Sequence, residues 1–181
     1  MVKPSLEKMI AAFARALGKK EGWYDKAKRP TLAQKLFNPA MLRHWRQKTT
    51  GEPYPDANGF VEFPECEREG CRHADHPAET GWRAARVQTK INVLKRGLSF
   101  LEFFAGRRGL YDGFANAREK NDPEAYARFV VDSVCRELGI DARCSNPDCD
   151  CQRAVSPRCV NAIPRDLAEK EGLDAAARRK S

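Results

Sequence analysis

Residues 80–105 read TGWRAARVQTKINVLKRGLSFLEFFA, the longest run of helical periodicity in the chain. Val87, Ile91, Leu94, Leu98 and Leu101 recur at spacings of four and three, and Ala105 continues the row. Such spacing stacks side chains on one helical face. Val93, Phe100 and Phe104 widen that face towards its C-terminal end. Thr80 stands where an N-cap belongs. The pattern predicts one helix over residues 81–105, whose seam packs on other helices or receives a protein partner. The opposite face carries Gln88, Asn92, Lys95, Arg96 and Ser99, expected to be polar and rich in donors. Arg83, Arg86 and Lys90 fall in the first turns, where the helix dipole disfavours cations. A bound phosphate relieves that conflict, and so do Glu79 and the acidic residues before it.

Helical patterns continue on both sides. Asp122 and Pro123 open a helix as cap and first residue. Tyr126, Phe129, Val130, Val134 and Leu138 form its core face, Cys135 is a small core residue, and Gly139 ends it. Between these helices GRRGLYDGF (106–114) is a glycine-punctuated joint. Its Arg107 and Arg108 can approach a phosphate, but it matches no P-loop or dinucleotide fingerprint. Near the N-terminus, Ser5 caps a helix over residues 6–17, with Leu6, Ile10, Phe13 and Leu17 inward and Gly18 as the stop. The basic loop KKEGWYDKAKR (19–29) holds Trp23 and Tyr24, which either anchor the loop to the core or stack on bases. Thr31 and Gln34 form a capping box for a short helix through Phe37. Asn38 and Pro39 open another, reaching about residue 48.

The segment 144–159 is of a different kind. It reads CSNPDCDCQRAVSPRC, with four cysteines among turn formers and charges and almost nothing apolar. A segment without core residues needs another means of cohesion. Four thiolates from Cys144, Cys149, Cys151 and Cys159 fill the tetrahedral shell of Zn2+, and the bound ion replaces a core. Pro147 and Pro157 pre-set turns, and Arg143, Arg153 and Arg158 offset the site's negative charge. Two disulfides or free thiols are the alternatives. The first twenty residues lack a signal-peptide core, since Glu7, Lys8 and Arg15 interrupt the apolar residues. An intracellular, cytoplasmic and reducing setting is therefore expected, and it favours zinc over disulfides. The odd count of seven cysteines points the same way.

A second donor set lies in PECEREGCRHADHPAE (64–79), where Cys66, Cys71, His73 and His76 fall within eleven residues. The spacing is too tight for a two-Cys, two-His finger. A second structural zinc, a site sharing ligands with the first cluster, and a zinc site with an open catalytic position all fit. In the last case Glu79 is the natural general base for a bound water. The deaminase pattern is missing, and the whole chain has only three histidines, which weighs against catalysis.

The fold class expected is mainly α: a small helical domain with one or two zinc-stapled, loop-rich modules, in the acidic insert 51–80 and the Cys cluster 144–159. The domains expected are a basic helical region over 1–50, the Cys/His insert over 51–80, a helical core over 81–140, a four-cysteine module over 141–164 and a polar tail over 165–181.

Charge supplies the functional argument. Residues 1–50 hold twelve Lys/Arg against three Asp/Glu, residues 51–80 two against eight, and residues 81–120 nine against three. Two basic blocks around an acidic insert, in a chain of net charge +8, favour a polyanionic partner. No apolar run is long enough to span a membrane, so no membrane partner is expected. The segment TLAQKLFNPAMLRHWRQ (31–47) resembles a helix-turn-helix, with Leu32, Ala33 and Leu36 packing its first helix and Leu42 and Trp45 its second. Its turn lacks the usual glycine and is one residue short. The resemblance implies that Arg43, Arg46 and Gln47 face a major groove. With Arg83, Arg86, Lys90, Lys95, Arg96, Arg107 and Arg108, these are the residues expected to meet DNA or RNA. The function expected is a zinc-containing, non-enzymatic nucleic-acid-binding protein, a regulator or a subunit of a nucleoprotein complex. A metal-dependent nuclease or other nucleic-acid-processing enzyme, and a zinc-stabilised adaptor between proteins, are the alternatives.

Overall fold

The computed structural model describes residues 5–46, 50–64 and 80–139, and the strand pair at 143–144 and 162–163. In chain order the elements are α1 (Leu6–Lys20), α2 (Leu32–Lys35), β1 (Asp56–Ala57), β2 (Phe60–Val61), α3 (Gly81–Thr89), a π-helix (Lys90–Lys95), α4 (Phe100–Ala105), α5 (Ala115–Glu119), α6 (Pro123–Leu138), β3 (Arg143–Cys144) and β4 (Ala162–Ile163). The chain is mainly helical, and its sheets among the described residues are two antiparallel strand pairs, β1–β2 and β3–β4. The chain divides into two units, residues 1–16 with 89–181, and residues 17–88. The metal modules expected at 66–76 and 144–159 lie outside the described residues, apart from the backbone of Cys144.

The single helix expected over 81–105 forms as three pieces. Thr80 caps α3 as expected, its Oγ1 accepting from the Arg83 N–H at 3.3 Å. From Lys90 the helix loosens into π geometry, and the Arg96 N–H donates to the Ile91 carbonyl five residues back at 3.0 Å. Wider turns rotate the later positions away from a 3.6-residue register. Asn92 is therefore buried alongside Val93, which was expected on the apolar face, whereas Ile91 stays half-exposed. Gly97, at φ +62°, ends this piece. Ser99 then restarts the chain with a capping box: its Oγ accepts from Glu102 N–H at 3.2 Å, and Glu102 Oε2 accepts from Ser99 N–H at 2.9 Å. The polar face expected at Asn92 and Ser99 is buried instead.

In the first unit α4 packs on α6 and α5 around an aromatic core. The Phe13 ring meets Phe103 edge-on at 5.0 Å, and Phe104 meets Phe114 at 5.7 Å and Tyr126 at 5.6 Å. Each such pair contributes about 0.5–1.5 kcal/mol beyond area burial. Helix α6 has the expected ends, with Asp122 Oδ1 accepting from Ala125 N–H at 3.3 Å and Gly139 left-handed at φ +61°. Cys135 is buried and is not part of a disulfide. Arg15 on α1 is ion-paired with Glu137 on α6.

In the second unit Gly18 does not stop α1. A Cβ there would lie 3.0 Å from Trp82 Cη2, so the glycine serves close packing, and the helix runs to Lys20. Its end is set by Gly22 at φ +82°, with Trp23 N–H donating to the Gly18 carbonyl at 2.8 Å. Thr31 and Gln34 form the expected capping box on α2. The second helix of the helix-turn-helix does not form over its described part, residues 38–46. Phe37 and Met41 take left-handed φ values of 49° and 46°, a conformation costing about 1–2 kcal/mol for a residue with a Cβ. Asn38 is fully buried, and its Oδ1 accepts from Leu42 N–H at 2.9 Å, the donor a helix would give to the Asn38 carbonyl. Its Nδ2 donates to the carbonyls of Leu42 at 2.8 Å and Val61 at 3.0 Å. The side chain thus ties the segment to β2 and competes with helix formation. β1 and β2 form a hairpin closed by Asn58 and Gly59, both at positive φ, as a two-residue turn needs.

Candidate nucleic-acid interface

Gly106 and Gly113 close the loop between α4 and α5. Both have positive φ, and a Cβ on either would come within 2.8 Å of backbone at the loop's other end. A bridge between Arg107 and Tyr111 fixes the loop's middle, with the Arg107 N–H donating to the Tyr111 carbonyl at 2.8 Å. This loop presents the Tyr111 ring to the residues that follow the π-helix. The Arg96 guanidinium lies over that ring, 5.5 Å from its centroid. Arg96 Nη1 also donates to Oδ1 of the buried Asn92 at 2.7 Å. Guanidinium has five N–H donors, and Arg96 is exposed, so donors remain for a ligand while the group is held from two sides.

Lys95, Arg107 and Arg108 are exposed around this pair. Glu102 lies 3.6 Å from Arg107 Nε and also caps α4. With the exposed Asp112 in the same loop, four basic groups stand against two carboxylates, one of which is committed to capping α4, so the cluster is net cationic.

The other expected contact residues are not gathered here. Arg43 and Arg46 lie on irregular chain, so a recognition helix carrying them into a major groove is withdrawn. The Arg43 guanidinium sits 4.9 Å over the Phe60 ring, and Arg46 Nη1 donates to the Gly51 carbonyl at 3.0 Å. Gln47 lies outside the described residues. Arg83, Arg86 and Lys90 are half-buried, the first two on α3 and Lys90 at the start of the π-helix.

Among the described residues no group of three or more His, Cys, Asp or Glu side chains is placed to hold a metal. The expected ligands Cys66, Cys71, His73, His76, Cys149, Cys151 and Cys159 lie outside those residues. The backbone of Cys144 belongs to β3, where it pairs with Ala162 of β4. No described helix is long and apolar enough to cross a membrane.

Tyr111 was not singled out by sequence, although its position between two closing glycines was visible. Neither was a cleft of about 520 Å³ in the second unit, lined by Trp23, Pro30, Gln34, Lys35 and Phe37. Comparison with protein-family models, with curated proteins and with solved structures finds no match.

Proposed function

We propose that this is a zinc-containing, non-enzymatic nucleic-acid-binding protein, acting as a regulator or as a subunit of a nucleoprotein complex. The observation that carries the reading is Arg96, fixed between Asn92 and Tyr111 among the exposed cations Lys95, Arg107 and Arg108. A pre-oriented guanidinium loses less freedom on meeting a phosphate than a mobile one. The net charge of +8 adds a long-range attraction for polyanions.

The zinc component draws on the strand pair β3–β4. Its register sets Cys144 opposite Ala162, so the two ends of the cysteine-bearing segment meet. Cys159 is three residues from Ala162 along the chain, a reach of about 10 Å at most. A segment closed at its base and poor in apolar side chains suits a structural four-thiolate site.

The test is a salt titration of the full chain with duplex DNA, single-stranded DNA and RNA in parallel. Binding through phosphates makes log affinity fall linearly with log salt, with a slope of about −0.9 per phosphate on duplex and about −0.7 on single strands. Absence of binding to all three at low salt overturns the reading and leaves a protein-binding adaptor.

A further inference from the structure

The cleft in the second unit sets aromatic and apolar walls beside one cation. Trp23 and Phe37 offer aromatic surface and Pro30 an apolar ring, while Lys35 supplies a cation. Its volume of about 520 Å³ lies within the range of ordinary small-ligand sites. Trp23 is braced edge-on by the buried Trp82, with centroids 5.6 Å apart, so the indole is held rather than loose.

The one amide among the described lining residues is already spent. Gln34 Nε2 donates to the carbonyls of Trp23 at 2.7 Å and Asp25 at 3.0 Å, and its Oε1 accepts from Thr31 N–H at 2.8 Å. It has no donor left to read a base edge. What remains is surface for stacking and charge for phosphate. Lys26, Lys28, Arg29 and Lys35 are all exposed, and none makes an ion pair with a described carboxylate.

We infer that this cleft takes an unpaired base of single-stranded nucleic acid, stacked against Trp23, with the adjoining phosphates on Lys35 and the lysines of residues 26–28. The inference rests on the nucleic-acid reading above and narrows it to flexible strands recognised with little regard to sequence. Stacking surfaces accept any base because every base has a π-face. A duplex keeps its bases stacked on one another and offers only its phosphates to this cleft.

The probes are a short oligothymidylate, an abasic strand of the same length and charge, the matching oligouridylate and a duplex, each titrated into the full chain at fixed low salt. Tryptophan emission is followed alongside affinity. The expected result is that thymidylate and uridylate both quench emission and bind about tenfold or more tighter than the abasic strand. Trp23→Phe, which keeps a ring, removes most of the quenching while retaining binding. Lys35→Glu, at an exposed position, weakens both base-bearing strands without changing the circular dichroism. Equal affinity for the abasic and base-bearing strands overturns the inference while leaving phosphate binding intact. Failure of every strand and of the duplex to bind overturns the nucleic-acid reading, and the inference with it.

Discussion

The Arg96 guanidinium lies 5.5 Å from the centroid of the Tyr111 ring, while its Nη1 donates to the buried Asn92. The two contacts come from different elements, a loop closed by glycines and a π-helix. An i,i+4 pair also meets on a regular helix, but the burial of Asn92 and the loop that carries Tyr111 both follow from the chain's departure from one continuous helix. A regular helix through residues 81–105 would have set Asn92 on the solvent face and left Arg96 without its buried anchor.

That arrangement makes a prediction about salt. Changing Lys95 and Arg96 together to Ala lowers the slope of log affinity against log salt by roughly two units if each meets a phosphate. Tyr111→Leu keeps both charges, so the slope holds while affinity falls through the loss of a pre-set guanidinium. Filter binding across a salt series distinguishes the two effects. An unchanged slope in the double variant removes these residues from the interface.

Zinc content is the second prediction. Protein purified without chelator carries tightly bound zinc, and Cys149→Ser loses one equivalent and exposes the C-terminal third to protease. Site and fold form together, so loss of metal is loss of local stability. If Cys66, Cys71, His73 and His76 hold a second structural ion, two equivalents are found and Glu79→Gln changes neither metal content nor function. Loss of a nuclease or deaminase activity in Glu79→Gln at constant metal content favours the enzymatic alternative. Metal analysis that finds none, with protease resistance unaffected by Cys149→Ser, removes the zinc.

The sequence disclosed the helical class, the ends of α6, the capping box on α2 and the Thr80 cap, because each rests on local chemistry within one turn. It misled where a local signal competed with a distant one. Gly18 resembles a helix stop, but its use is close packing against Trp82, and the true stop at Gly22 is four residues on. Asn38 before a proline resembles a cap, yet its amide is taken by Leu42 and by Val61, twenty-three residues away. Two available signals were passed over: the Ser99–Glu102 box, masked by an unbroken apolar row, and the Asn58–Gly59 hairpin turn. Of the candidate site, the basic residues were legible as charge. Their grouping around Tyr111 was not, since a π-helix and a closed loop set it.

Ser99→Ala gives a prediction of sign. In the middle of a helix this change is mildly stabilising, because Ala has the better helix propensity. At the N-cap of α4 it removes the acceptor for Glu102 N–H and costs about 1 kcal/mol. Urea denaturation of the variant decides between these outcomes. A midpoint above that of the parent chain restores the continuous helix.

Asn38 offers the same kind of choice with a larger effect. As a helix cap, Asn and Asp are near equals, so Asn38→Asp should leave stability unchanged. The observed side chain is a two-way bracket, and Asp reproduces only half of it. Its carboxylate can still accept from Leu42 N–H, but the atom replacing Nδ2 has no proton for the carbonyls of Leu42 and Val61. A charged oxygen then faces two carbonyl oxygens at a position with no solvent access. Losing one partner of a buried hydrogen bond costs about 1–3 kcal/mol, and more where a charge is involved. Asn38→Asp should therefore destabilise the chain by at least about 2 kcal/mol, and Asn38→Ala by a similar amount through the stranded Leu42 N–H. The loss for Asp should shrink at low pH, where a protonated carboxyl regains one donor. A denaturation midpoint for Asn38→Asp equal to that of the parent chain at neutral pH would return residues 38–46 to a capped helix and reopen the major-groove reading of Arg43 and Arg46.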